Sequence, residues 1–243
     1  MRKFDNTNWK RRVCILGNEI KKTPFFEKAE FLIGITLLGG YVNTYAFVAR
    51  GGNMVSFHTG NQIRCGMSLA YGNMNDFFFY LMPILMCFGG VCLSEILKAL
   101  FKKSDWRLNT MLIESVVLFL IGLIPTSMNT LATYTLSVLA GTHFCVFRSF
   151  EGAAHNSTIG TGNLRNLAQL FCKAVTSGSA AKAKFFRYFC VFMSFPTGAF
   201  LGTWITARIG NYGIWPLSAM MFLWSGIYYV QTKRAEKEAQ AAA

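Results

Sequence analysis

Two segments of the chain carry the residue types from which a polar site inside a membrane can be built. The first runs Gly51-Gly52-Asn53-Met54-Val55-Ser56-Phe57-His58-Thr59-Gly60-Asn61. The second runs Gly152-Ala153-Ala154-His155-Asn156-Ser157-Thr158-Ile159-Gly160-Thr161-Gly162-Asn163. Both end in Thr-Gly-Asn, and each follows a pair of small residues, Gly39-Gly40 or Ala140-Gly141. The spacing is nearly the same: Gly40 to Gly60 is 20 residues and Gly141 to Gly162 is 21. Thr caps a helix through its hydroxyl, while Gly and Asn tolerate unusual backbone angles. The residues that follow, 62–71 and 164–176, are too short to span a bilayer at about 1.5 Å per residue. Two readings stand. One is a turn capping an interfacial helix. The other is a re-entrant half-helix whose free N–H groups and positive dipole end face a polar cavity. On the second reading Thr59, Gly60, Asn61, Thr161, Gly162 and Asn163 contact a solute. Arg64 and Arg165, just beyond the motifs, then turn inward and favour an anion; otherwise Arg64 anchors at an interface and Arg165 is one more inside charge.

Few other polar groups fall within apolar runs. His143 is either a proton or solute contact or a neutral ring bonded to a neighbouring helix. The amide of Asn43 needs a partner, most simply across a helix interface. Glu95 and Lys98, three apart, suit a local ion pair. Glu114 sits about a turn inside its apolar run and suits a partner in an inner vestibule. His58 and His155 read as loop residues on opposite sides of the membrane, where they cannot share a metal. Nothing else in the sequence suggests a metal or cofactor.

The elements that must position these groups are membrane helices. Apolar residues make up 53% of the 243, charged residues only 14%, and Phe occurs 23 times. A soluble domain carries roughly 25% charged residues, so a soluble enzyme, a disordered chain and a DNA-binding domain are excluded. The net charge of +13 lies in loops between apolar runs and reflects topology rather than nucleic acid. Six spans are predicted, at about 29–49, 77–98, 109–125, 129–148, 186–207 and 212–232, since each must supply about 20 mostly apolar residues. Lys and Arg concentrate before span one, between spans two and three, between spans four and five, and in the tail; the opposite side keeps only Arg50, Arg64 and Arg208. Both termini are therefore expected in the cytoplasm. The first 28 residues are too polar for a signal peptide, and span one reads as an uncleaved anchor. The seven cysteines show no metal spacing, and no structural disulfide is expected. Trp204, Trp215, Trp224, Tyr212, Tyr228 and Tyr229 suit interfacial aromatic belts. Residues 235–243 read as a solvated or frayed end.

Each Thr-Gly-Asn segment follows the first of three spans, so the chain divides into 1–28 (basic cytoplasmic segment), 29–125 and 126–232 (three-span repeats) and 233–243 (cytoplasmic tail). An odd number of spans per repeat inverts the second against the first. The fold class is an all-α membrane protein of two inverted three-helix repeats, each with a broken segment. Small residues four apart, Gly90/Ser94 and Gly198/Gly202, favour close helix packing within the chain or across a homodimer.

The run Gly39-Gly40-Tyr41-Val42-Asn43, then Gly51-Gly52-Asn53-Met54-Val55, then Thr59-Gly60-Asn61, with the second Thr161-Gly162-Asn163, resembles the YoaK-like family of six-span bacterial membrane proteins of unknown function. The resemblance covers about residues 28–232. It implies the six-span architecture, a bacterial inner (cytoplasmic) membrane and, by architecture alone, a transporter. The family's usual acidic residue in span one is Asn43 here, and a common Gln-Asn pair in span four reads Thr142-His143.

Enzyme signatures such as His-Glu-x-x-His, Gly-x-Ser-x-Gly, a Walker A loop or a Rossmann fingerprint are missing from the sequence. The expected function is a secondary transporter or facilitator for a small polar or anionic solute, not an enzyme. Its partners are the lipid bilayer, the solute and a second copy of the chain, without nucleic acid. The alternative is a non-transporting scaffold, sensor or assembly partner; a lipid-acting enzyme would need a nucleophile or metal set opening sideways to the bilayer.

Overall fold

The computed structural model describes residues 23–158 and 160–241. The basic segment proposed for residues 1–28 lies mostly outside them. Eight α-helices follow a 3₁₀ turn at Phe25–Glu27: α1 Ala29–Ala49, α2 His58–Ala70, α3 Met74–Leu100, α4 Trp106–Leu123, α5 Asn129–Val146, α6 Gly160–Thr176, α7 Ser179–Ile209 and α8 Trp215–Ala241. A two-residue hairpin, β1 Ser149–Phe150 with β2 Ala153–Ala154, is antiparallel and sits between α5 and α6.

Local chemistry sets several boundaries. Asp105 caps α4, its carboxylate accepting from the N–H groups of Arg107 and Leu108, which satisfies donors a helix start leaves free. Asn73 caps α3 by accepting from the Asp76 N–H. Gly210 ends α7 at φ +60°, a conformation glycine adopts without strain. The helix starting at His58 corrects one expectation. The residue before it is Phe57, with no side-chain cap, so Thr59, Gly60 and Asn61 lie inside the first turn and Thr59 does not cap it. The tail, expected to fray, continues α8 to Ala241.

The protein is inside-out by soluble standards. Its large exposed side chains include Phe88, Val116, Phe200, Phe222 and Leu223, while Thr36, Ser94, Thr110, Ser137, Ser194 and Ser225 are buried. Among the described residues four stretches are long and apolar enough to cross a membrane: Ala29–Ala49, Met74–Leu100, Trp106–Leu123 and Ser179–Ala241, the last containing both α7 and α8. Helix α5 is not among them, because Thr130, Thr133, Thr135, Ser137, Thr142 and His143 dilute its apolar residues. The fold is all-α and that of a multi-pass membrane protein.

Helix α1 packs chiefly against α7, α3 against α5 and α4 against α8. The closest approaches occur at glycines and come in matched pairs. A Cβ on Gly40 would collide with the backbone of Phe195 and Ala199, and one on Gly141 with that of Cys87. A Cβ on Gly198 would strike Leu37, and one on Gly90 would strike Val138. Gly40 and Leu37 of α1 correspond to Gly141 and Val138 of α5 at a constant offset of 101; Cys87 and Gly90 of α3 correspond to Phe195 and Gly198 of α7 at an offset of 108. The two helix pairs thus pack through equivalent residues.

Some aromatic residues assigned to interfacial belts are structural instead. Tyr228 is buried and donates to Asp105 at 2.6 Å. The Trp224 and Trp215 indoles donate to the carbonyls of Phe31 and Phe119. Glu95 and Lys98 form the expected local ion pair.

Candidate functional site

The connectors after α1 and α5 carry the Thr-Gly-Asn segments, and each is tied down by its own asparagine. Asn61 donates to the carbonyl of Met54 at 2.9 Å, and Asn163 donates to the carbonyl of Asn156 at 2.5 Å. Both bonds reach back seven residues, and both asparagines are buried. A side-chain amide that satisfies loop carbonyls lets irregular backbone exist away from water. The connectors meet one another. Ser56 lies 3.1 Å from the carbonyl of Thr158 and 2.8 Å from Oδ1 of Asn43, with its hydroxyl able to donate to either. Asn43 turns its NH₂ back to the Gly39 carbonyl of its own helix, so its partners are its own helix and the connector rather than a neighbouring helix. The interrupted segments therefore converge inside the protein.

Beside this junction, α1, α4, α5, α8 and Thr158 line a partly open cavity of about 40 Å³. Its wall is apolar apart from Thr158 and two ionisable side chains, Glu114 and His143. These lie across from one another with His143 Nδ1 2.8 Å from Glu114 Oε2. Both are almost fully buried, Glu114 at 2% exposure and His143 at 6%. The remaining polar atoms, Glu114 Oε1 and His143 Nε2, have no partner among the described residues. A buried polar atom without a hydrogen bond costs on the order of 1–3 kcal/mol. Both side chains line the cavity, and a cavity above about 10–15 Å³ admits a water molecule. With the carboxylate ionised, Nδ1–H donates to it. Nε2 and Oε1 are then both acceptors, and the site invites a guest with N–H or O–H donors. If the ring is an imidazolium, Nε2–H donates instead and the site offers one donor and one acceptor.

Of the ten residues singled out in the sequence, only His143 lines this cavity. Asn43, Asn61 and Asn163 hold the connectors. Gly60 is half-buried, as is Gly51's neighbour Gly52, whereas Thr59, Thr161 and Arg165 are exposed. Gly162 has no side chain to offer and has open space where a Cβ would stand. Neither arginine turns in: Arg64 lies over the Tyr80 ring at 5.2 Å, and Arg165 stands on the surface. Both prefer the hydrated or aromatic surface because an unpaired buried guanidinium is costly.

Among the described residues the buried arginine is Arg50, which the charge pattern placed among the outer-face residues. It is 1% exposed and donates to the carbonyls of Ile121 and Ile124, to Asn129 and to the Tyr45 hydroxyl. The guanidinium thereby closes the carbonyl end of α4. His155, in the second connector, places its ring 3.1 Å from Thr36 and 3.4 Å from Tyr188, whose hydroxyl donates to Asn163. Burial pushes His155 down to about 4, so the ring is neutral. Burial also lowers His58, neither of whose ring nitrogens has a partner among the described residues.

The architecture and this polar centre define a helical multi-pass membrane protein. Within that class, the chain belongs to the family of proteins of unknown function DUF1275, whose model matches residues 31–227. No curated protein and no solved structure matches it.

Proposed function

We propose that the protein is a six-span secondary transporter or facilitator for a small polar solute, built from two inverted three-helix repeats. The constant offsets of the matched glycine contacts and the equal reach of the two asparagine bonds support the repeat. With α5 counted as a span and α7 and α8 as two, each half crosses three times, and such halves are antiparallel in the bilayer. The Lys and Arg distribution supports cytoplasmic termini, and the resemblance to the YoaK-like family supports a bacterial inner membrane.

The observation that carries the transport reading is the Glu114–His143 pair with two unbonded atoms at a cavity where four spans and a connector meet. An ionisable pair buried in a membrane is expensive and is characteristic of a transport pathway. The cavity wall includes no arginine, so its chemistry favours a neutral or cationic solute with hydrogen-bond donors over the anion expected from Arg64 and Arg165. Its small volume corresponds to a closed state holding water or a solute of a few heavy atoms.

That same small volume favours a second reading, a non-transporting membrane protein whose centre is a structural ion pair. Proteoliposome permeation of formamide, urea, ammonium and formate separates the two. The transport reading expects at least one donor-rich probe to pass faster than through empty liposomes, with formate excluded. Flux at the empty-liposome level for every probe leaves the structural reading standing.

A further inference from the structure

A second pocket lies away from the central cavity, between the amphipathic helix α6 and the start of α7, with a volume of about 210 Å³. We propose that it binds the phosphate of an anionic phospholipid in the leaflet on the lysine-rich side of the protein. Its floor is aromatic, the ring of Phe150 packed 4.9 Å from that of Tyr188, and Leu170 and Ala181 line its walls. Lys173 and Lys184 stand at the rim. The Lys173 carbonyl accepts from Ser177 and Thr176, but its ammonium has no hydrogen-bond or ion-pair partner among the described residues. Lys184 donates to the Glu151 carbonyl at 3.4 Å and lies 3.5 Å from the Glu151 carboxylate, which also takes two bonds from Arg187, at 2.9 and 3.1 Å. Glu27, another nearby acid, accepts from the Gly152 N–H, and Glu30 lies near Arg187. The rim therefore offers a free ammonium and a half-neutralised one above a mostly apolar hollow.

The neighbouring surface suits the rest of a lipid. Phe171 packs on Phe185 at 5.6 Å, and Leu164, Val175, Phe186 and Phe189 are exposed apolar side chains on the same two helices. Such side chains suit acyl chains around the two helices, and a basic side chain near a membrane surface adds about 1 kcal/mol for anionic lipid. The equivalent place on the first half lacks these charges. At the offset of 102 that relates Asn61 to Asn163, Lys173 becomes Tyr71; at the offset of 108 that relates the two spans, Lys184 becomes Asp76. At the same offset of 102 the pocket's Asn166 becomes Arg64, so the first half carries one cation and one acid where the second carries two lysines. That asymmetry is what recognition of an anionic leaflet requires, and a pocket serving only helix packing has no need of it.

Native mass spectrometry of the detergent-purified full chain tests this with dioleoyl phosphatidylglycerol, dioleoyl phosphatidylcholine and soluble glycerol phosphate as probes. Phosphatidylglycerol should be retained in preference to phosphatidylcholine, and Lys173→Gln combined with Lys184→Gln should weaken its retention about 30-fold, at about 1 kcal/mol per lysine. Lys98→Gln combined with Lys102→Gln, a pair outside the pocket, should leave retention unchanged. The gel-filtration profile confirms that each variant is folded. Equal loss in both double variants overturns the site, as does no loss in either. Displacement of the lipid by glycerol phosphate at equal concentration overturns the lipid assignment in favour of a free phosphate compound.

Discussion

Replacing Gly40 with Ala probes the matched packing directly. The added Cβ would lie 2.9 Å from the Phe195 carbonyl carbon and 3.0 Å from the Ala199 nitrogen, with the Phe195 oxygen nearer still. Carbon contacts are comfortable at about 3.5–4.0 Å, so α1 and α7 must separate by at least about half an ångström. The obstacle is backbone on a helix and cannot rotate away. Overpacking of this kind costs about 1–3 kcal/mol. Against it stands a gain of about 0.5–1 kcal/mol from replacing glycine within a helix. The net loss of up to about 2 kcal/mol corresponds to a melting point lower by roughly 4–8 °C for a chain of this size. Gly141→Ala meets the Cys87 carbonyl carbon at the same 2.9 Å and should lose the same amount. Gly66, within α2, has open space where a Cβ would stand, with nothing within 4 Å, so Gly66→Ala should match or slightly exceed the wild type. Melting in detergent, followed by intrinsic fluorescence, reads all three. Gly40→Ala as stable as Gly66→Ala, or a large difference between it and Gly141→Ala, would refute equivalent close packing.

Two further outcomes follow from the connectors. Asn61→Ala and Asn163→Ala each strand a loop carbonyl and should each lower stability by about 1–3 kcal/mol, read in the same melts; a loss confined to one would show that the two bonds are not equivalent. His155 has a folded-state value depressed to about 4 against about 6.5 unfolded. The unfolded chain therefore binds the proton more readily. The cost is absent above about pH 6.5 and grows as pH falls towards 4, reaching roughly 2 kcal/mol at pH 5. His155→Gln should remove that component, seen as a smaller drop in melting point between pH 7.5 and pH 5.

Much of the helical framework was legible because apolar runs of span length leave few alternatives. The end of α4 and the start of α5 follow from the turn residues Pro125 and Asn129. The doubled Gly-Gly or Ala-Gly and Thr-Gly-Asn spacing pointed to the connectors, and these do meet inside the protein. The roles of individual residues were less legible. Asn61 and Asn163 have the same composition whether they face a solute or a carbonyl seven residues back, and only the fold distinguishes the two. Arg50 counts as an interface charge until the carbonyl end of α4 is seen to wrap it. The Glu114–His143 contact joins residues 29 apart on separate helices. Period and spacing within one helix contain no signal for it, although a carboxylate and an imidazole each isolated in an apolar run were themselves a reason to suspect a partner. Amphipathic α6 reads as a short surface helix from its pattern, but its lysine-rimmed pocket requires α7 beside it.

The central claim is that the unbonded atoms of Glu114 and His143 handle a donor-bearing solute. Stopped-flow light scattering of proteoliposomes containing wild-type, Glu114→Gln or His143→Phe protein, matched for incorporation, measures it with formamide, urea and ammonium. The account predicts that the probe carried by the wild type slows about 100-fold or more in both variants, about 3 kcal/mol of barrier, while both still melt cooperatively. Permeation through both variants at the wild-type rate would contradict it.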